Sequence, residues 1–574
     1  MNILYIVLGA SLIFWFAYKS YGSFLAKKVF RLDDTRKTPA VLMEDSVDYV
    51  PVEAKFLAGQ HFSAIAAAGP ITGPILAGIM FGWAPALIWI VLGSIFIGGV
   101  LDMGSLVASI RHKAKSITEV VRLNVSQRAY LLFMLFIWIT LVYVIVAFTD
   151  LTAGSFVGMI TLENGSTLAG GAIATSSLLY LALPVIMGLF LRYTKMPLWL
   201  ATVIFLPLVG VAIWVGQYIP LSLDTILNIT PASAAKIWSV FILAYCLVAA
   251  VLPMWMLLQP RGHLGGYFLY AALAAAGIGL IFGGYNVQYP AFTKPFDNLG
   301  AMFFPMFPIL FITVACGACS GFHALVASGT SAKQIDRESH LLPVAYGGML
   351  IEGLLAMLAI CSIGYLGMDQ IKAMFAAKEA PQMIFASGLG HFCESLHIPF
   401  EIGRNFIALA ISAFILTSLD TATRLARFIW QELVLPGQEN KQAQAPATTG
   451  NSCPCRSLLG NRWVATLGVV ILAGIMAFSG SGSQIWPVFG ASNQLLAALT
   501  LLAITLFLNR TKRPVLFALL PLIFMLIISI WALLVLLQQQ WGKSIPLVTV
   551  SIVLLILAVI LCFLGGKTLV KIKK

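Results

Sequence analysis

Charged residues are scarce in this sequence. Asp, Glu, Lys and Arg together make up 10% of the 574 residues, whereas hydrophobic residues make up 60%. The mean hydropathy is +0.94. Since soluble domains carry about 25% charged residues, this composition excludes a soluble globular protein. It predicts a chain that crosses a membrane many times.

The motifs of common enzyme classes are missing as well. The sequence contains no GxGxxG opening a βαβ unit, no GxxxxGK[ST], no HExxH and no GxSxG. A chain without a nucleotide-binding loop is not expected to be an ATP-driven pump on its own. We therefore predict neither an enzyme nor a bound cofactor.

Cysteine is sparse, with eight scattered residues. Cys316 and Cys319 have CxxC spacing, and Cys453 and Cys455 lie in a polar segment. Neither pair is accompanied by a second ligand pair at zinc-site spacing, so we predict no metal site. Small residues that allow close helix packing are the favoured interpretation of the first pair.

Long apolar runs, by contrast, are abundant. A helix needs about 20 apolar residues to cross the hydrocarbon core, and about fifteen runs are long enough. They lie near residues 3–26, 61–82, 84–109, 129–159, 172–192, 198–219, 237–258, 266–284, 301–327, 343–367, 404–430, 463–480, 485–508, 514–537 and 545–566. The first run has no basic n-region or clear cleavage site, so we expect a retained helix rather than a signal peptide.

The basic residues are distributed unevenly between the predicted loops. With the N-terminus outside, 28 of the 35 Lys and Arg residues fall in loops or a tail on the cytoplasmic side. This asymmetry predicts an outside N-terminus and a cytoplasmic C-terminus. The net charge of +13 therefore indicates orientation and contact with anionic lipid rather than nucleic acid.

Two of the apolar runs are interrupted. QHFSAIAAAGPITGPILAG, residues 60–78, contains Gly-Pro twice, and ILFITVACGACSGFHALVASGTS, residues 309–331, is rich in small residues. A proline in a helix interior costs about 3 kcal/mol. Unwound backbone within a membrane is tolerated where protein or trapped water satisfies it, and its free peptide groups can then bind a ligand. The alternative is that Gly and Pro only permit kinks or close packing.

The two interrupted runs are seven spans apart. An odd separation makes them antiparallel, as an inverted repeat requires. We predict an N-terminal helix and cytoplasmic linker over residues 1–60, a first inverted repeat with accessory helices over 61–300, and a second over 301–574. Within the second, residues 436–460 are predicted to be a flexible cytoplasmic loop.

Carboxylates within apolar spans are costly and often functional. Glu352 and Asp420 lie deepest, whereas Asp102 and Asp150 lie nearer the helix ends. Each could carry a proton or ion, or could only make a polar contact between helices. Arg424 follows Asp420 by four residues, so these two could pair on one helix face.

Other polar residues adjoin the interrupted runs. His61 and His323 could donate to an anion or shuttle protons, and Asn493 and Gln494 could bind a substrate or tie helices together. The two breaks would meet the substrate at Ala68 to Gly73 and at Gly317 to Phe322. The predicted substrate site comprises His61, Ala68, Gly69, Pro70, Gly73, Gly317, Ser320, Gly321, His323, Asn493 and Gln494.

Four segments resemble a known family. HFSAIAAAGPITGPILAG, CGACSGFHALVASGTS, TSLDTATRLARF and IWPVFGASNQLLAALTL are similar to motifs of the carbon starvation protein A (CstA) family of bacterial inner-membrane transporters. They span residues 60 to 502 in the family's order. The resemblance implies import of peptides or of pyruvate across the bacterial cytoplasmic membrane, with protons and in response to carbon starvation.

The resemblance also implies kinship with the APC superfamily, whose LeuT-like core is a five-plus-five inverted repeat with broken first and sixth helices. The breaks in this sequence are seven spans apart, so either each repeat carries two extra helices or the predicted spans are wrong. Thr417 and Ser418 resemble paired hydroxyls that hold sodium in some LeuT-like symporters. We therefore expect an all-α polytopic protein whose coupling ion lies near Glu352, Thr417, Ser418, Asp420, Asp102 or Asp150. The alternatives are a sodium-coupled symporter, an ion channel or a sensor of carbon status.

Overall fold

A computed structural model describes residues 1–45, 49–66, 68–157, 159–161, 167–194, 196–253, 255–293, 305–376, 380–434, 458–478 and 482–573. These residues are almost entirely helical, which confirms the predicted all-α polytopic fold. Two short antiparallel strands, β1 Met159–Thr161 and β2 Thr167–Ala169, form a hairpin after the third long span. The Cys453–Cys455 pair and most of the predicted flexible loop lie outside the described residues.

The described residues contain 23 α-helices. They are α1 Ile3–Ala17, α2 Pro39–Leu42, α3 Ala54–Ile65, α4 Gly69–Phe81, α5 Trp83–Gly93, α6 Gly99–Arg111, α7 Ile117–Asn124, α8 Gln127–Ser155, α9 Gly170–Tyr193, α10 Leu198–Tyr218, α11 Leu223–Ile226, α12 Pro231–Val251, α13 Leu258–Gly283, α14 Met306–Thr313, α15 Ala315–Cys319, α16 Gly321–Gly329, α17 Gly348–Ala376, α18 Pro381–Glu394, α19 Phe400–Val434, α20 Arg462–Phe478, α21 Gly482–Arg510, α22 Leu516–Gln540 and α23 Ile545–Lys573.

Wider π-helical turns extend or join several of these helices. They are Tyr18–Gly22 and Leu25–Val29 after α1, Ser94–Gly98 between α5 and α6, and Leu342–Gly347 before α17. The 3₁₀ turns Ser331–Lys333 and Glu338–His340 follow α16. As a result, α5 and α6 form one continuous span from Trp83 to Arg111.

The predicted number of spans is not confirmed. Among the described residues, 12 helices are long and apolar enough to cross a membrane, or 13 if the bent pair α3 and α4 counts as one span. The two further predicted runs coincide with α14–α16, which is divided into short pieces, and with α20, which has only 17 residues. Six of the long helices lie between the two broken ones, so their predicted separation by seven spans holds.

Loops that the sequence predicts to be cytoplasmic meet at one end of the bundle. The Arg111 guanidinium lies 3.1 Å from the Glu338 carboxylate, and the Asp33 amide donates to the same carboxylate at 2.9 Å. The Arg510 side chain donates to the Leu123 carbonyl at 2.8 Å. We call this end, marked by Arg111, Glu338 and Arg510, the basic end.

Loops predicted to be external meet at the opposite end. The Val287 amide donates to the Met1 carbonyl at 2.9 Å, and the Tyr285 hydroxyl donates to the His391 carbonyl at 2.5 Å. This grouping agrees with spans that alternate in direction. Which end faces the cytoplasm stays a prediction from the distribution of basic residues.

Segments of the chain between α1 and α3 pack at the basic end against the turns that follow α16. The Val52 amide donates to the Gln334 carbonyl at 2.9 Å, which joins the chain before α3 to the turn after α16. The Ser339 amide donates to the Asp34 carboxylate at 2.8 Å. Hydrogen bonding to Ser339 lowers the pKa of Asp34 below its usual value, because it favours the charged carboxylate.

The two broken helices pack directly against each other. A Cβ atom on Gly69 would lie closer than 3.0 Å to the Cys316 side chain, and one on Gly73 would lie closer than 3.0 Å to the Thr313 carbonyl oxygen. Glycine is therefore required at both positions of α4, because only hydrogen fits against α14 and α15. This close approach brings the two chain interruptions together in the interior of the bundle.

Replacing Gly73 with Ala should destabilise the protein by about 1–3 kcal/mol, because the added methyl group overpacks this contact. Gly210→Ala is the matched control, since nothing lies within 4 Å of the corresponding Cβ position in α10. The measurement is the midpoint of thermal unfolding of each purified variant in detergent. Equal midpoints for the two variants would contradict the close approach of α4 to α14 and α15.

Candidate functional site

The first chain interruption separates α3 from α4. Ala66, after the end of α3 at Ile65, has φ −74° and ψ 70°, outside the helical region, and the two helix axes differ by 50°. Pro70 lies in the first turn of α4, where its missing N–H costs no helical hydrogen bond. The Gly-Pro sequence therefore begins a new helix at this point, which confirms the predicted break.

The second interruption separates α15 from α16. Ser320 between them is extended, with φ −83° and ψ 126°, and Val314 forms a further kink between α14 and α15. The amides of the first turn of α16 have no partner within that helix. One of them, the Phe322 amide, donates to the Asn493 side-chain oxygen at 2.9 Å. Asn493 also lies close to Ser320, with 3.1 Å between its amide nitrogen and the hydroxyl oxygen.

Three predicted ionisable residues meet just beyond the second interruption. His323 in α16 lies between Asp102 of α6 and Glu352 of α17, and all three side chains are buried. The distances are 3.1 Å from His323 Nδ1 to Asp102 Oδ2 and 3.1 Å from His323 Nε2 to Glu352 Oε2. Only the contact with Asp102 is aligned as a hydrogen bond. We call these residues the acidic trio.

The acidic trio is suited to binding a proton. An imidazole has an N–H group on both nitrogens only when it is protonated. A protonated His323 beside two ionised carboxylates leaves the trio with one net negative charge. Because an uncompensated charge is costly in a buried site, uptake of one further proton is favoured. Glu352 Oε1 and Asp102 Oδ1 have no hydrogen-bond partner among the described residues, so each is available to receive it.

Asp420 belongs to a different cluster, near the first interruption. Its carboxylate lies 2.5 Å from the Arg261 guanidinium and accepts a hydrogen bond from the Tyr245 hydroxyl at 3.2 Å. Arg261 also donates to Tyr245 and to the Thr417 carbonyl, the latter at 3.3 Å. The hydroxyl of Ser418, the residue after Thr417, lies 3.5 Å from the Ala64 carbonyl oxygen at the end of α3. We call Tyr245, Arg261, Thr417 and Asp420 the Arg261 cluster.

The suggested pairing of Asp420 with Arg424 is wrong. Arg424 donates instead to the carbonyls of Ala249 and Leu252, at 2.8 and 2.7 Å. These carbonyls lie at the end of α12, where the last turn leaves acceptors without a partner in the helix. Arg424 therefore caps a neighbouring helix.

His61 lies in α3 on the basic-end side of the first interruption. Its Nδ1 is 2.7 Å from the Ser331 hydroxyl, and its Nε2 has no hydrogen-bond partner among the described residues. A cavity of about 20 Å³ adjoins it, lined in part by Gln60, Thr330 and Gln334. This volume admits about one water molecule.

The remaining predicted site residues lie in varied surroundings. Gln494 is buried, and its amide nitrogen lies 3.3 Å from the Met525 sulfur. The Gly317 carbonyl accepts from the Ser94 hydroxyl at 3.3 Å, beside Gly321 and the second interruption. Asp150 is exposed near the end of α8 and joins neither cluster within the described part of the chain.

Sequence reasoning did not find two members of the Arg261 cluster. Arg261 falls in a predicted loop, residues 258–265, whereas α13 begins at Leu258 and buries its guanidinium completely. The neighbouring segment RGHLGGY has small residues that allow close packing, and this was the signal that could have extended the helix to Arg261. Tyr245 lies in an apolar span and has no distinguishing pattern.

Comparison with known proteins identifies related chains. Residues 2–380 and 369–532 match the profile of the family described as carbon starvation protein CstA. The peptide transporter CstA of Escherichia coli strain K12 is 31% identical over 600 residues, which cover 95% of this chain and 81% of that protein. The peptide transporter CstA of Bacillus subtilis strain 168 is 30% identical over 577 residues, 92% of this chain and 89% of that protein.

More distant similarities extend to other transporters. The pyruvate/proton symporter BtsT of E. coli strain K12 is 28% identical over 609 residues, covering 93% of this chain and 81% of BtsT. Among solved structures, a mutant form of the Eremococcus coleocola manganese transporter is 13% identical and superposes with a TM-score of 0.41 over 92% of this chain and 99% of that chain.

Asn493→Leu should destabilise the protein more than Gln494→Met does. Leucine keeps the branched shape of asparagine but leaves the buried Phe322 amide without its acceptor, at a cost of about 1–3 kcal/mol. Gln494→Met is the matched control because, among the described residues, the glutamine amide meets only a thioether, which is a weak acceptor. Thermal unfolding midpoints test this difference, and an equal loss in both variants would contradict the capping role of Asn493.

Proposed function

The chain belongs to the carbon starvation protein CstA family and is a multi-span membrane transporter, not an enzyme; from this premise we propose that it is a proton-coupled symporter. Its proposed substrate is a small carboxylate such as pyruvate, or a short peptide, which it imports across the bacterial cytoplasmic membrane during carbon starvation. The basic end then faces the cytoplasm, with the N-terminus outside and the C-terminus inside. The observation that carries the proposal is the acidic trio beside the second of two adjoining helix breaks.

The substrate carboxylate is proposed to bind between the two breaks. The N-terminal ends of α4 and α16 both lie at the breaks, beginning at Gly69 and Gly321. Helix N-termini carry free N–H groups and a partial positive charge, which favour an anion. Among the predicted substrate residues, Asn493 supports the site indirectly by holding Phe322 in place.

The acidic trio is the proposed carrier of the coupling proton. One of its members, His323, lies in the first turn of α16. The charge of the trio therefore acts directly on the helix end that is proposed to bind the substrate. Protonation removes a negative charge close to that site and so favours entry of an anionic substrate. Binding of proton and carboxylate is therefore mutually favourable, as symport requires.

The closed interior favours a carrier over a channel. The cavity beside the first break has a volume of about 20 Å³, which leaves no room for pyruvate. The chain before α3 covers the basic end of α3 and α16 through the Val52–Gln334 contact. Substrate entry and release then require these helices to separate, which is the behaviour of an alternating-access carrier.

Uptake of labelled pyruvate and of a labelled dipeptide into proteoliposomes tests the function. We expect accumulation under an inward proton gradient and none above background under a sodium gradient alone. A carrier should also show counterflow of labelled substrate against an excess of unlabelled substrate. The proposed symport would be contradicted if neither compound accumulated. A current that does not saturate with substrate concentration and that occurs without counterflow would also contradict it.

Glu352→Gln should abolish proton-driven accumulation while leaving expression and counterflow in place. The amide keeps the shape of the carboxylate but cannot bind and release a proton. Glu53→Gln is the matched control, because Glu53 pairs with Lys55 on the surface and its side chain is 68% exposed. Proton-driven accumulation by the Glu352 variant at the level of the control would remove Glu352 from the coupling mechanism.

A further inference from the structure

We propose that four arginines at the basic end form a binding site for the headgroup phosphate of an anionic phospholipid. They are Arg31, Arg36, Arg111 and Arg513, and we call them the basic-end arginines. This inference goes beyond the proposed function, because it depends neither on the transported substrate nor on the coupling ion.

Three of these arginines meet around one buried carboxylate. The Arg111 guanidinium lies 3.1 Å from the Glu338 carboxylate, and the Arg36 guanidinium lies 4.0 Å from it. Arg111 also donates to the backbone carbonyl of Arg31 at 3.1 Å. The end of α6 and the chain that follows α1 are therefore joined at this place.

Arg513 approaches the same place from the turn between α21 and α22. The Phe517 ring after this turn lies 5.1 Å from the Phe24 ring, and the Phe507 ring before it lies 5.5 Å from the His112 ring. Phe24 belongs to the helical chain that continues α1, and His112 ends α6. The turn is thus held against the two segments that carry the other basic-end arginines.

The positive charges of the basic-end arginines exceed the negative charges that face them. Glu338 is engaged by Arg111, and Asp33 lies 3.8 Å from Arg36. Among the described residues, the ion pairs of the four arginines involve these two carboxylates. Two of the four positive charges are therefore left unbalanced, and a further anion is favoured there.

Arg513 supplies an unused hydrogen-bond donor. Its Nη1 atom is buried and has no hydrogen-bond partner among the described residues. A buried donor without an acceptor is costly, so binding of an acceptor at this atom is favourable. Burial and the neighbouring positive charges of the other three arginines lower the pKa of Arg513 below its usual value. A bound anion would relieve that repulsion.

Phosphate is the anion that suits several guanidinium groups at once. A guanidinium presents a planar fork of N–H donors that matches two phosphate oxygens. The basic-end arginines come from three separate parts of the chain, which are the segment after α1, the end of α6 and the turn before α22. One phosphate could therefore accept hydrogen bonds from more than one of these segments.

The position of the site relative to the membrane spans favours a phospholipid over a soluble phosphate compound. The span that begins with α1 ends at Val29, just before Arg31, and α22 begins at Leu516, just after Arg513. Phe24 and Leu516 are exposed although they are apolar. In a membrane they would lie beside acyl chains. Basic pockets between spans at this level suit the headgroups of anionic lipids.

Lipid binding to the purified, delipidated protein tests the inference in the absence of any substrate. We expect dioleoyl phosphatidylglycerol in mixed micelles to raise the midpoint of thermal unfolding, because a ligand of the folded state stabilises it. Dioleoyl phosphatidylcholine has the same acyl chains but no net charge, so it should give a smaller rise at the same concentration. Equal rises with the two lipids would overturn the inference.

Native mass spectrometry of the lipid-bound states measures the effect of variants. Arg513→Gln should weaken the apparent affinity for phosphatidylglycerol about fivefold, and Arg31→Gln combined with it about 25-fold, since each basic side chain contributes similarly. Arg462→Gln is the matched control, because Arg462 is an exposed arginine at the start of another apolar helix, α20. A double variant that binds phosphatidylglycerol as tightly as this control does would overturn the site.

The wild type gives a test that does not depend on a variant that folds. A photoreactive phosphatidylglycerol should cross-link to peptides from residues 24–36 or 512–520. Cross-links confined to other segments would overturn the site.

Inorganic phosphate separates the two sources of the same chemistry. We expect it to stabilise the wild type less than phosphatidylglycerol does. Stabilisation by inorganic phosphate that phosphatidylglycerol does not reproduce would assign the basic-end arginines to a soluble phosphate compound and would overturn the lipid site.

Discussion

Peptide groups without a hydrogen-bond partner in a helix must be shielded from lipid inside a membrane. The structure depends on how this chain shields the peptide groups at its two helix breaks. Gly69 and Gly73 let α4 approach α14 and α15 closely, so each break lies against the partner helix and not against lipid. Asn493 provides the acceptor for the Phe322 amide in the second break. The breaks are costly in isolation but stable together, and their helix ends converge on one region of the interior.

The two breaks have different electrostatic surroundings. The second adjoins the acidic trio, in which one imidazole lies between two buried carboxylates and a further proton can be taken up. The first adjoins the Arg261 cluster, where a guanidinium already neutralises Asp420. Under the proposed function, the charge of the acidic trio beside the second break changes during transport. The charge of the Arg261 cluster beside the first break stays constant. Because the breaks are in contact, a change at the trio is positioned to affect the whole site.

Much of this arrangement could be predicted from local sequence features. The Gly-Pro pairs predicted the first break, and the depth of Glu352 in an apolar span predicted its burial. The errors have physical causes. Arg261 was predicted to lie in a loop between two apolar runs, whereas it lies in the first turn of α13. Arg424 was suggested as a partner of Asp420 because helical spacing does not reveal the free carbonyls of α12. The predicted number of spans is not confirmed, because two of the predicted apolar runs coincide with broken or short helices among the described residues.

The close approach of Asp102, His323 and Glu352 could not be predicted from the sequence, since α6 lies far from α16 and α17 in the chain. The central claim is that a carboxylate binds between the breaks that these helices frame. An electron cryo-microscopy structure of the protein in nanodiscs, determined at acidic pH with saturating pyruvate, tests it most directly. We expect ligand density with its carboxylate within hydrogen-bonding distance of the amides at Gly69 and Gly321. Density bound elsewhere, or two continuous helices with no break, would contradict it.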